Sequence, residues 1–148
     1  MLSVLIPTAN NAAQLALMMR DMVPAAVDGL VRQLIVVDAA PDAETLLLSS
    51  DSGADLFREG LAAAAGTAKW ELLLVCPPHL RLPEGWRDRL SSAVVGGVRE
   101  GRVYGARAGG LVGLVGPRSF AILAHRDTVI AAGDFVGLQR RIRGPRIV

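Results

Sequence analysis

Four short apolar runs alternate with segments of helical spacing over the first hundred residues. Leu2-Ser3-Val4-Leu5-Ile6 is halted by Pro7, and Leu34-Ile35-Val36-Val37 is halted by Asp38. Gly53 to Phe57 is a weaker third run, and Trp70 to Val75 is the fourth, ending in Cys76-Pro77-Pro78-His79. Runs that are apolar at every position fit strands buried on both faces. Between them, Leu15, Met18, Met19 and Met22 fall on one face of a helix. Asn10 or Asn11 is placed to cap that helix, and Pro24 to end it. Ala43 to Ser49 predicts a short helix after the turn at Pro41-Asp42. Glu59 to Ala65 predicts another, with Gly66 as its C-cap. Pro83-Glu84-Gly85-Trp86 leads into a helix through Leu90, Ala93 and Val94.

The pattern then changes. Glycine recurs from Gly96 to Gly116, which predicts little helix and a mobile loop. Val103 to Ala106 is a strand candidate, Ser119 to Leu123 a better one, and Arg126 to Ala132 a helix stopped by Gly133. Strand–helix alternation with right-handed crossovers predicts a mostly parallel sheet between two helix layers, a three-layer α/β/α sandwich. With no internal repeat or linker, the whole of 1–148 reads as one domain.

Composition adds constraints. Half the residues are apolar (51%), enough for a real core, yet no run reaches the ~20 residues of a membrane span. The start lacks a basic n-region, so no signal peptide is expected. The single cysteine, Cys76, excludes an internal disulfide and fits a reducing compartment; a cytoplasmic protein is expected. Two histidines and one cysteine, widely spaced, do not make a zinc site. Acids outnumber bases up to Arg99, whereas arginine dominates from Glu100 onward and ends in Arg140, Arg141, Arg143 and Arg146. This basic segment, 138–148, reads as a solvated, poorly ordered end, or as a peripheral contact with acidic lipid. Aromatic residues are too few to interleave with it, so no nucleic-acid partner is expected.

Ligands of open parallel sheets bind beyond the carboxyl ends of the strands. Thr8, Asn10, Asp38 and the Cys76–His79 segment all fall at such ends and are expected to share one crevice. A hydroxyl and an amide there can bond a base or sugar, and an aspartate can accept two hydrogen bonds from a ribose or base edge. The simpler alternative is that Asn10 caps a helix and Asp38 turns the chain.

The order of these segments resembles family 2 glycosyltransferases, which have the GT-A fold. Ser3 to Asn10 looks like their opening strand and loop, and Leu34 to Asp38 like their second strand. Arg58 to Gly66 is similar to the helix after the third strand. Trp70 to Leu74 and Leu82 to Trp86 bracket the place of the family's metal motif, and Ile122 to Phe135 resembles the later strand and the helix that ends in a Gly-Gly-Phe turn. The resemblance implies that Pro7, Thr8 and Asn10 form a nucleotide loop, that Asp38 holds the base, and that Arg58 reaches toward base or phosphates. It also implies transfer of a sugar from a nucleotide diphosphate to a hydroxyl.

The departures from the family are specific. The positions of its Asp-x-Asp-like motif are Pro77, Pro78 and His79, a poor donor set for Mg²⁺ or Mn²⁺. The divalent site is therefore expected to be lost, and no cofactor is expected beyond a nucleotide-sugar donor. His79 is a weak candidate for a proton donor or phosphate contact. After Phe135 no acidic pair follows; Asp134 is the nearest carboxylate and a weak candidate base, more simply a turn residue. The loop after Asp38 is altered to Ala39-Ala40-Pro41-Asp42. Gly109-Gly110-Leu111-Val112-Gly113 lacks a P-loop's lysine and context. Cys76 reads as a buried, inert thiol, and Ser119 and His125 lack a nucleophile-elbow context. Two functions remain: a glycosyltransferase-like nucleotide-sugar binder whose metal-dependent catalysis is lost, or a non-catalytic module that partners another protein.

Overall fold

The computed structural model describes residues 1–106 and 118–148, so the Gly109–Gly113 reading lies outside the described residues. β1 (Leu2–Pro7) is followed by α1 (Ala12–Val27), β2 (Val31–Val37), α2 (Ala43–Ser52), β3 (Asp55–Phe57), α3 (Leu61–Thr67) and β4 (Leu72–Val75). Then come α4 (Trp86–Val95), β5 (Gly101–Tyr104), β6 (Phe120–His125), α5 (Arg126–Ala132) and α6 (Phe135–Arg141). Among the described residues the strands form one sheet in the order β3-β2-β1-β4-β6-β5. β3, β2, β1 and β4 run parallel, and β6 is antiparallel to both β4 and β5.

Each strand face is apolar because each is covered. Val4, Ile6, Val36 and Leu74 pack with Leu15, Met18 and Met22 of α1 and with Trp86 and Leu90 of α4. Leu5, Ile35, Leu73 and Val75 pack on the opposite face with Leu61 and Ala64 of α3, Val129 of α5 and Leu138 of α6. This is the three-layer, mostly parallel architecture expected from the continuous apolar runs.

Several boundaries differ from the sequence reading for local reasons. Pro24 does not end α1. It sits on the exposed side of the last turn, where the missing N–H costs one bond, and the Asp28 N–H still donates to the Pro24 carbonyl at 3.0 Å. Asn11 holds the N-cap position of α1 without a side-chain bond, so neither Asn10 nor Asn11 caps as expected. Gly66 lies inside α3, which starts at Leu61 behind Gly60, whose φ of 102° makes the turn. α2 continues to Ser52 and stops at Gly53 with φ 70°. Asp42 caps α2, accepting from the Thr45 N–H at 2.7 Å, and these bonds to Thr45 hold its carboxyl below the ordinary value. Its contribution to stability is therefore present above the unfolded pKa and is lost as pH falls through the lowered folded value.

The basic end is not a loose tail. Ile142 and Val148 are buried, and residues 145–148 run parallel beside β5. The Arg102 N–H donates to the Pro145 carbonyl (3.0 Å), and the Ile147 N–H donates to the Arg102 carbonyl (2.9 Å). The Arg102 guanidinium donates to the Ile142 and Gln139 carbonyls, satisfying the C-terminal end of α6. The close approach depends on Gly101, where a Cβ would stand 2.7 Å from the Pro145 carbonyl oxygen and 2.7 Å from Ile147 Cδ1. Gly101→Ala is expected to lower stability by about 1–3 kcal/mol by overpacking and to undock residues 142–148. Trypsin should then cut at Arg143 and Arg146 faster than in the parent protein. Equal cleavage rates would contradict this docking.

Candidate functional site

The four parallel strands end side by side, and the residues just beyond them form a row: Arg58 after β3, Asp38 after β2, Thr8 after β1 and Cys76 after β4. Main-chain bonds hold the row together. The Asp38 N–H donates to the Phe57 carbonyl, the Thr8 N–H to the Val37 carbonyl, and the Cys76 N–H to the Leu5 carbonyl, each at 2.9 Å. Pro7 stands opposite Val37 in register, so Thr8 and Asp38 are the next positions along paired strands.

Asp38 is only 3% exposed. Its Oδ1 accepts the Ala40 N–H at 3.0 Å, which turns the chain out of β2. Its Oδ2 is buried without a partner among the described residues, and so is Oγ1 of Thr8. Buried oxygen atoms left unpaired cost about 1–3 kcal/mol each. Two of them lie at adjacent strand ends without a hydrogen-bond partner among the described residues. Asn10 is exposed, and among the described residues it is the non-glycine with positive φ, 52°. Asparagine tolerates this left-handed conformation better than most residues. Arg58 is exposed at the far end of the row, and its N–H donates to Glu59 Oε2 at 3.2 Å.

The tip of β4 is built differently. Cys76, Pro77 and Pro78 are buried, and the Leu80 N–H closes a turn on the Pro77 carbonyl at 3.1 Å. Burial pushes the Cys76 thiol far above its ordinary pKa, so the thiolate is disfavoured. Arg81 fastens the loop. It pairs with Asp21 of α1 at 3.2 Å and donates to the Gln14 and Pro78 carbonyls. His79 is exposed, and its Nε2 lies 3.0 Å from Ser119 Oγ at the start of β6. The sequence did not reveal that pair, because the two residues are 40 positions apart. Asp134 is exposed and caps α6, accepting the Gly137 N–H at 2.6 Å, the structural role expected as its alternative. His125 likewise caps α5, accepting the Asp127 N–H at 3.2 Å.

A hard divalent cation requires several oxygen donors. The β4 tip presents two pyrrolidine rings, a thiol and one imidazole. Among the described residues no three His, Cys, Asp or Glu side chains come together to hold a metal. Residues 107–117 contain none of these four types. The donor set at the tip does not fit Mg²⁺ or Mn²⁺. Among the described residues, no helix is long and apolar enough to cross a membrane.

No protein-family profile matches this sequence, and no curated protein matches it. Solved structures match the fold. Glucosyl-3-phosphoglycerate synthase from Mycobacterium tuberculosis, in complex with Mn²⁺, UDP and glucosyl-3-phosphoglycerate, superposes with a TM-score of 0.61 at 21% identity. That match covers 86% of this chain and 57% of the synthase. Mannosyl-3-phosphoglycerate synthase from Rubrobacter xylanophilus superposes with a TM-score of 0.59 at 17% identity, covering 98% of this chain and 66% of that one. The chain thus spans less than two thirds of the length of either synthase. Its fold is the GT-A-like α/β fold of these nucleotide-sugar transferases.

Proposed function

We propose that the chain binds a nucleoside diphosphate or its sugar ester in the crevice at Pro7, Thr8, Asn10 and Asp38, as a glycosyltransferase-like protein. The observation that carries this reading is the pair of buried, unpartnered acceptors, Asp38 Oδ2 and Thr8 Oγ1, at neighbouring strand ends. A base or ribose with N–H and O–H donors satisfies both, which offsets the cost of leaving them unpaired. Arg58, exposed at the end of the same row, would meet base or phosphate in this reading. The matched synthase solved with UDP supports the choice of uridine as the first nucleotide to try.

The second half of a metal-dependent transfer has no counterpart among the described residues. The β4 tip does not fit a divalent cation, and Asp134 is engaged as a helix cap. Sugar transfer that relies on a metal to stabilise the leaving diphosphate is therefore assigned no residues here. These observations favour, as the second reading, a binding module that works beside another protein.

The test is thermal unfolding with UDP, GDP and their sugar esters. A ligand at 100 times its Kd stabilises by about 2.7 kcal/mol, a readily measured rise in Tm. A uridine or guanosine diphosphate is expected to raise Tm. No shift with any of them would overturn the nucleotide reading and leave the partner-binding module.

A further inference from the structure

Large apolar residues crowd the outer faces of α1 and α2. Both helices pack on the same side of the sheet, through Leu15, Met18 and Met22 of α1 and Leu48 of α2. α2 is inverted: it buries Thr45 and Ser49 and turns Leu46 and Leu47 outward, with Leu47 61% exposed. Thr45 Oγ1 is buried there without a partner among the described residues. α1 is apolar nearly all round. Of its exposed positions, Ala13, Leu17, Val23, Pro24, Ala26 and Val27 are apolar, and only Gln14 and Arg20 are polar. A helix without a polar face is the pattern of a buried one. Nine large apolar side chains are exposed among the described residues, and five of them stand on these two helices, which hold 26 of the 148 residues. Clusters of this kind mark interaction surfaces, whereas single exposed apolar residues do not.

The charges of this face are divided between the two helices. α2 and its N-cap carry Asp42, Glu44 and Asp51 and no base. Arg20 stands on α1, and Arg32 at the start of β2 beside it. Arg20, Arg32 and Val23 line the cleft that separates α1 from the end of α2 at Ser52 and Gly53. Among the described residues none of Arg20, Arg32, Glu44 and Asp51 takes part in an ion pair. A face that is basic on one side and acidic on the other is complementary to itself. A twofold axis passing between α1 and α2 lays each α2 on the α1 of the other copy, so the opposite charges meet twice. A second copy of this chain thus supplies both the apolar cover and the counter-charges.

We propose that α1 and α2 form the face on which two copies of this chain pair as an isologous dimer. Leu46 and Leu47 of one copy pack on Leu17 and Val23 of the other, and Glu44 and Asp51 meet Arg20 and Arg32. The face is about 24 Å long at α1 and about 15 Å at α2. That is small for a specific interface, so the dimer is expected to form with a Kd of about 1–100 µM. The face shares no residue with the crevice at Thr8 and Asp38, and the proposal does not rest on the nucleotide reading.

The test is sedimentation velocity of the full chain from about 1 to about 300 µM. A monomer–dimer equilibrium is expected. L47E should weaken it at least about tenfold, and R20E and E44R about tenfold each. R20E/E44R restores opposite charges across the axis and should recover most of the parent's affinity. Leu47, Arg20 and Glu44 are exposed, so the circular dichroism of each variant should match the parent's. V136E, at an exposed position of α6, should dimerise as the parent does. A chain that stays monomeric at about 300 µM would overturn the proposal and leave this face to a different protein. A dimer untouched by L47E, or a double variant as weak as either single one, would equally overturn the pairing of α1 with α2.

Discussion

Asp38→Asn should leave the chain folded and weaken nucleotide binding by about 10- to 100-fold, the value of one or two hydrogen bonds to a charged group. The direction follows from where the two carboxylate oxygens point. Oδ1 accepts the Ala40 N–H, and an asparagine oxygen can keep that bond, so the turn after β2 survives. Oδ2 has no partner among the described residues, so removing its charge takes away no bond seen in the ligand-free fold. Removing a buried, half-paired carboxylate is expected to leave the ligand-free Tm equal to or above that of the parent. Loss of ligand affinity with unchanged or higher stability is the signature of a residue kept for binding. A large drop in ligand-free Tm would instead make Asp38 a structural turn residue.

Leu5→Ala should be the most damaging of the substitutions considered, by about 3–5 kcal/mol. Leu5 is fully buried on β1, between β2 and β4, opposite Ile35 and Val75. Its side chain lies in the cluster with Leu61, Val129 and Leu138, so the cavity opens between the sheet and three helices that cannot all close on it. For a domain whose total stability is about 5–15 kcal/mol, this approaches global unfolding. Urea unfolding reads the change directly. Val136→Ala, at an exposed position of α6, should change stability by less than about 0.5 kcal/mol. A Leu5→Ala loss below that of Val136→Ala would contradict the central place of β1.

The elements legible in the sequence are those whose signal is local and periodic. The continuous apolar runs of β1 and β2 and the Leu15–Met18–Met22 stripe of α1 needed no tertiary information. The misread boundaries are those decided by surroundings. Pro24 looked like a stop because its missing N–H is visible in the sequence, but not that it falls on an exposed last turn. Gly66 looked like the C-cap, yet α3 runs through it to Thr67 and Ala68 holds the C-cap position. The arginine-rich end looked solvated because charge dominates its composition. Only the structure shows Ile142 and Val148 buried and the main chain paired with β5.

The site divides in the same way. The positions of Thr8, Asn10 and Asp38 beyond neighbouring strands were legible because strand ends are predictable from where apolar runs stop, and parallel neighbours bring those ends together. The contact between His79 and Ser119 and the Arg81 fastening were not legible. The first spans the tip of β4 and the start of β6 and the second joins the β4 tip to α1, residues far apart in the chain that no local pattern brings together.

The most direct test of the central claim is calorimetric titration with UDP, once with EDTA and once with Mn²⁺. Binding that is lost in D38N and has the same Kd with and without the metal is the predicted result. It would mean a nucleotide crevice at Thr8 and Asp38 that does not need a cation at the β4 tip. No heat at any UDP concentration, or binding that requires Mn²⁺, would contradict it.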